Sequence, residues 1–149
     1  MTGAHRASRH STTAQALCRW LRIGLGTLIF ATGAGKALDV AGFAEVIRTY
    51  RLALPDGVLL PIGACIAALE LALGAWLVSG RRLVSAAHAS IALNAGYCAL
   101  LTSALWRGLE LDNCGCFGVF FASPLRWYSP LESLALAGAS FVLMRLARP

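Results

Sequence analysis

Residues 57–79 read GVLLPIGACIAALELALGAWLVS, a run of 23 residues with Glu70 as its one charged side chain. A helix needs about 20 mostly apolar residues to cross a bilayer, so this stretch reads as a membrane span. Three further blocks share its character: residues 20–38, 83–106 and 130–146. The whole chain agrees, at 58% hydrophobic, 13% charged and a mean hydropathy of +0.67 over 149 residues. A soluble domain carries about a quarter of its residues as charges. The expected fold is therefore all-α, an integral membrane four-helix bundle in one domain, 17–149, behind a basic tail, 1–16. The tail is rich in Ser, Thr, Ala, Arg and His, a composition that leaves it disordered.

The net charge of +6 does not point to nucleic acid, because the basic residues lie between apolar blocks and form no basic face. They read as topology determinants. Arg6, Arg9, Arg19, Arg22, Arg81, Arg82, Arg145 and Arg148 fall on one side, and Lys36, Arg48, Arg51, Arg107 and Arg126 on the other. Eight against five places both termini in the cytoplasm and the two longer connections outside. Arg22 and Lys36, which bound the first span, are expected to snorkel to opposite surfaces. Phe43, Val46, Ile47 and Tyr50 recur at i, i+3, i+4 and i+7, which predicts a short amphipathic helix on the outer membrane surface between spans 1 and 2. Small residues four apart (Ala31 and Gly35, Gly63 and Ala67, Ala92 and Gly96, Ala135 and Ala139) are expected to bring helices close.

The stretch LDNCGCFGVFF, residues 111–121, stands apart. A bond between Cys114 and Cys116 would close a very small ring around Gly115, the residue that bends most cheaply. Such strain suits exchange better than stapling. The alternatives are a metal site, for which the outer segments offer neither His nor further Cys, and free thiols in a turn. Asp112 would raise a neighbouring thiol pKa, and Arg107 or Arg126 would lower it. The aromatics Phe117, Phe120, Phe121, Trp127 and Tyr128 read as an interfacial belt.

Within the spans, Glu70 is a functional-site candidate because an intramembrane carboxyl is costly. Counting depth sets Asn94 level with it and His88 about two turns away, so both are candidate partners in structural gluing or proton handling. The same count puts Cys65 and Cys98 at matching depth, as a possible second thiol pair or as packing residues. Cys18 lies at the cytoplasmic end. No flavin or dinucleotide motif is apparent, and the cofactor stays open.

GAGKALD at residues 33–39, the run of Phe43, Ile47, Tyr50, Leu54 and Pro55, Glu70 within ALELALGAWL, and CGCFG at 114–118 resemble the MauE family, within the DoxX-like four-helix membrane proteins. The resemblance implies an inner-membrane protein of methylamine metabolism. It implies support for processing, transport or maturation of the periplasmic, disulfide-rich beta subunit of methylamine dehydrogenase, beside a thioredoxin-like partner. The expectation is a membrane thiol–disulfide component using Cys114 and Cys116. Its rivals are a non-catalytic assembly or anchoring factor and, further off, a small-solute or metal transporter.

Overall fold

The computed structural model describes the backbone of residues 3–148 and the side chains of residues 13–148. Much of the tail expected to be disordered thus lies outside the described side chains. Five helices follow in order: α1 (Gly3–Leu38), α2 (Val40–Thr49), α3 (Asp56–Ser79), α4 (Leu83–Trp106) and α5 (Ser129–Ala147). No strand occurs among the described residues. Helices α3, α4 and α5 are each long and apolar enough to cross a membrane, and α1 with α2 makes a fourth candidate bent by 99°. The chain is a multi-pass helical membrane protein.

The bend falls at Asp39, whose backbone leaves the helical path and whose carboxylate accepts from the Gly42 amide at 2.8 Å. A short acidic side chain in that place caps the next helix, which lets the chain turn without losing a backbone partner. At the opposite end, α3 stops at Gly80, in the left-handed region at φ 70°, and the chain reverses into α4 within three residues. Arg22 of α1 reaches this turn and donates to the Val78 carbonyl. The Arg81–Arg82 turn therefore shares one end of the bundle with the start of the α1 span and the end of α5. Helix α2 and the α4–α5 loop occupy the other end.

Helices α1 and α3 run antiparallel in near contact. A Cβ on Gly74 would lie 2.6 Å from the Phe30 amide nitrogen, and one on Gly26 would lie 2.9 Å from the Gly74 carbonyl oxygen. One turn on, Gly33 meets Glu70 and the Leu71 amide in the same way. The close approach thus uses Gly26, Gly33 and Gly74 rather than four regular small-residue pairs. Of the expected pairs, Ala92 and Gly96 both face outward, and a Cβ on Gly96 would meet nothing within 4 Å. Spacing finds small residues, but only the rotation of the helix decides which face its neighbour. Helices α4 and α5 are joined instead by a buried hydrogen bond of 2.8 Å between Ser90 and Ser140.

The amphipathic α2 is present, but its apolar face is not given over to lipid. Phe43, Ala44 and Ile47 are buried against α3 around Leu59, while Val46 also touches the cluster of Tyr50, Leu101, Ala104, Leu111 and Cys114. Only the polar face, where Arg48 pairs with Glu45 and Asp56, turns outward. Gly74→Val is expected to lower the thermal midpoint in detergent by an amount corresponding to about 1–3 kcal/mol, the usual cost of overpacking. Gly96→Val should leave it within about 0.5 kcal/mol, as for a surface site.

Candidate functional site

The site is built around Lys36, two residues before the end of α1. Its side chain is 1% exposed and so is that of Glu70. Nζ donates to Glu70 Oε1 at 3.0 Å, to Oε2 at 2.7 Å and to the Cys116 carbonyl at 2.8 Å. Those three bonds use every donor an ammonium has. The rings of Phe43 and Tyr97 lie 5.5 and 5.6 Å from the same nitrogen, and the Tyr97 hydroxyl donates to Glu70. One buried charge therefore ties together α1, α2, α3, α4 and the CGC loop. Lys36 does not snorkel, because the loop and α2 fold over the end of α1 and close off the surface it would have reached.

The loop is held in register by Asn113. Its side chain accepts from the Gly115 amide at 2.8 Å and donates to the Gly118 carbonyl at 3.0 Å. Both glycines adopt φ 75°, where a side chain is strained. Gly118 also sits on α1, since a Cβ there would lie 2.6 Å from the Gly35 carbonyl carbon. Backbone bonds from Cys114 to Ser123 and from Leu125 to Leu111 close the base of the loop. The Tyr50 hydroxyl donates to the Cys114 carbonyl at 2.7 Å, and Arg107 holds the Tyr50 carbonyl at 2.8 Å.

This scaffold brings the Cys114 and Cys116 sulfurs to 3.2 Å, within hydrogen-bond range for thiols. The two are not equivalent. The hydrogen bond from the Cys116 thiol holds the Cys114 pKa down to about 6, against the opposing effects of burial and the nearby Glu132 carboxylate. Cys116 moves the other way, raised by that same bond to Cys114 and by burial, with Lys36 only partly offsetting them. The leading influences are thus the partner thiol, burial, Glu132 and Lys36, rather than Asp112, Arg107 or Arg126. Access is asymmetric too: Cys114 is 8% exposed and Cys116 is half-buried, so the loop is seated in the bundle end rather than lying free on the surface.

Beneath it lies a cavity of about 290 Å³, lined by Cys116 and Phe117 together with Glu70, Asn94, Tyr97 and Glu132 among others.

A family model described as methylamine utilisation protein MauE matches residues 14–147. The chain belongs to the MauE family. A relative from Paracoccus denitrificans, methylamine utilization protein MauE, is 31% identical over 130 residues, covering 87% of this chain and 69% of its own length. No solved structure matches the chain.

In this MauE-family chain, the residues singled out from sequence are only partly brought together. Cys114, Cys116 and Glu70 meet through Lys36. Asn94 shares the cavity but donates to the Ser90 carbonyl of its own helix at 2.9 Å and does not bond Glu70. His88 is exposed and bonds the Val84 carbonyl. Depth counting was one turn out: the α4 residue that meets Glu70 is Tyr97. Cys65 is exposed on α3 and Cys98 half-buried on α4, with no bond between them, and Cys18 packs on the core at the far end. Among the described residues, no group of three His, Cys, Asp or Glu gathers as a metal site. Sequence reasoning reads Lys36 as a surface anchor and Tyr50 as part of an amphipathic face, and passes over Tyr97, Asn113 and Glu132. The opposite charges of Lys36 and Glu70 in successive spans were the available signal for the first.

Breaking a buried ion pair from one side costs about 3–5 kcal/mol. Glu70→Gln and Lys36→Met are each expected to destabilise the protein in detergent by about that much. The double variant should fall well short of their sum, because neither then leaves a lone charge. For the thiols, the alkylation rate of Cys114 should stay level above pH 6 and fall as pH drops through about 6, where the thiolate is protonated. Cys116→Ala removes the stabilising donor, so this midpoint should move upward; an unmoved midpoint would contradict the hydrogen-bond assignment.

Proposed function

We propose that the chain is a membrane thiol–disulfide exchange component of methylamine utilisation. In this reading it sits in the inner membrane with the CGC end facing the periplasm, as the distribution of Lys and Arg favours. The observation that carries the proposal is the pairing of a low-pKa thiol, Cys114, with a second sulfur 3.2 Å away on a turn that only glycine accommodates easily. In the oxidised pair, an incoming thiolate attacks Cys116, the more accessible sulfur, and Cys114 departs as the thiolate because a low-pKa thiol leaves faster. A second thiol of the incoming protein then resolves the mixed disulfide. That protein leaves with a disulfide and the pair is left as two thiols, so the electrons balance.

The incoming protein is a periplasmic thioredoxin-like partner or the disulfide-rich client itself, which the family resemblance makes the methylamine dehydrogenase beta subunit. The exposed rings of Trp106, Phe120, Phe121 and Trp127 surround this end. They give the rival reading, a non-catalytic anchoring factor, its one favouring observation, since a docking face needs no thiols. The two separate cleanly. Replacing both Cys114 and Cys116 by Ser is expected to abolish client disulfide formation while the protein still accumulates in the membrane. Client maturation at the normal rate in that variant would reject exchange and favour anchoring.

A further inference from the structure

We propose that the cavity beneath the CGC turn, with the groove that continues it between α1 and α5, binds a lipid-soluble quinone. This quinone takes the electrons released when Cys114 and Cys116 close into a disulfide. The inference rests on the thiol-exchange reading and names the co-reactant that reading leaves open.

Closing a disulfide from two thiols breaks two S–H bonds, forms one S–S bond and releases two electrons and two protons. A quinone accepts two of each and becomes a quinol, so the step balances. Membrane quinones already serve as terminal acceptors for disulfide formation in the bacterial periplasm. With Cys114 ionised, one proton comes from the Cys116 thiol. The other enters from water past Glu132, an exposed residue in the first turn of α5 that lines the cavity.

The shape of the site favours an amphipathic ligand with a ring and a tail. The cavity of about 290 Å³ is at the lower end for small-molecule pockets, which run from about 300 Å³ upward. Its walls are largely apolar, with Leu28 and Ile29 of α1, Leu93 of α4 and Leu136 of α5. The Asn94 amide and Ser133 supply polar groups for ring oxygens, and Cys116 is the redox residue on the wall.

Leu28 and Leu136 also line a second hollow of about 370 Å³, which runs on between α1 and α5 past Leu21, Gly24, Leu25 and Ala139. A Cβ on Gly24 would meet nothing within 4 Å, so the groove is open beside it. An isoprenoid tail fits such a groove, whereas a small polar substrate gains nothing from it. A phospholipid would fill the groove equally well. Its phosphate, however, would face Glu132 in the cavity, where Lys36 is already spent on Glu70.

The test uses the full chain, reduced and reconstituted in nanodiscs of phosphatidylcholine, with decylubiquinone as the probe under anaerobic conditions. Loss of the quinone absorbance is followed alongside loss of alkylatable Cys114 and Cys116, and reaction with a small soluble disulfide is followed in parallel. One quinone reduced per pair of thiols lost is expected. Leu136→Trp, at the junction of cavity and groove, should raise KM for decylubiquinone by about tenfold or more, the usual size of a lost pocket contact. Ala139→Trp should erase the preference for decylubiquinone over a tailless quinone, which covers the case in which Leu136→Trp does not fold. Thiols that react with the soluble disulfide but not with decylubiquinone would overturn the quinone site and spare the exchange reading. Quinone reduction with the same KM in wild type and both variants, or a bound phospholipid that excess decylubiquinone does not displace, would also overturn it. Thiols inert to the soluble disulfide as well would overturn both readings.

Discussion

The end of the bundle that carries the thiols depends on the ion pair between Lys36 and Glu70. Two charges inside a membrane bundle are costly to desolvate, and their attraction offsets that cost only when the remaining donors and acceptors are filled. Here they are filled. The carboxylate accepts from Lys36 at both oxygens and from Tyr97, while the third ammonium hydrogen goes to the Cys116 carbonyl. That last bond does more than pack helices, because it fixes the backbone of Cys116, a residue that lines the cavity. A pair of leucines would hold α1 to α3, but it would not hold the loop.

The rest of the local architecture follows from folding a polar loop into an apolar bundle. Backbone groups taken from water must find partners, and Asn113, Tyr50, Arg107 and the carbonyls of Leu111 and Ser123 supply them. Close seating demands glycine at residues 115 and 118, where the chain turns left-handed against Val46 and against the α1 backbone. The consequence for chemistry is an unequal pair of thiols. Cys114 is sheltered and low in pKa, whereas Cys116 is the more open and lines the cavity.

Much of this was legible in the sequence, for reasons tied to particular residues. The apolar run 57–79 with a single charge could be little else than a span, and Phe43, Ile47 and Tyr50 marked the apolar face of α2, though not that it turns to α3 rather than to lipid. CGC was visible as an anomaly. What periodicity could not supply was rotation and burial. Lys36 read as a surface anchor because nothing in its neighbourhood announces that α2 and a loop eighty residues away would cover it. Height alone matches Asn94 and His88 to Glu70, but His88 lies on the outward face of α4, and Asn94, though buried, bonds Ser90 and lies one turn away from Tyr97, the residue that meets Glu70. The Gly26–Gly74 contact likewise escaped a rule that looks for small residues at one spacing within one helix.

The most direct test of the central claim, that Cys114 and Cys116 form a redox-active pair at the outer end of the bundle, is differential alkylation on intact cells. A membrane-impermeant thiol reagent is applied before and after mild reduction, and each cysteine is read by mass spectrometry. Cys114 and Cys116 are expected to be protected at first and labelled once reduced, with Cys18 unlabelled throughout. Full labelling of both before any reduction would contradict a disulfide-carrying pair, and no labelling in either state would contradict the outward placement of the loop.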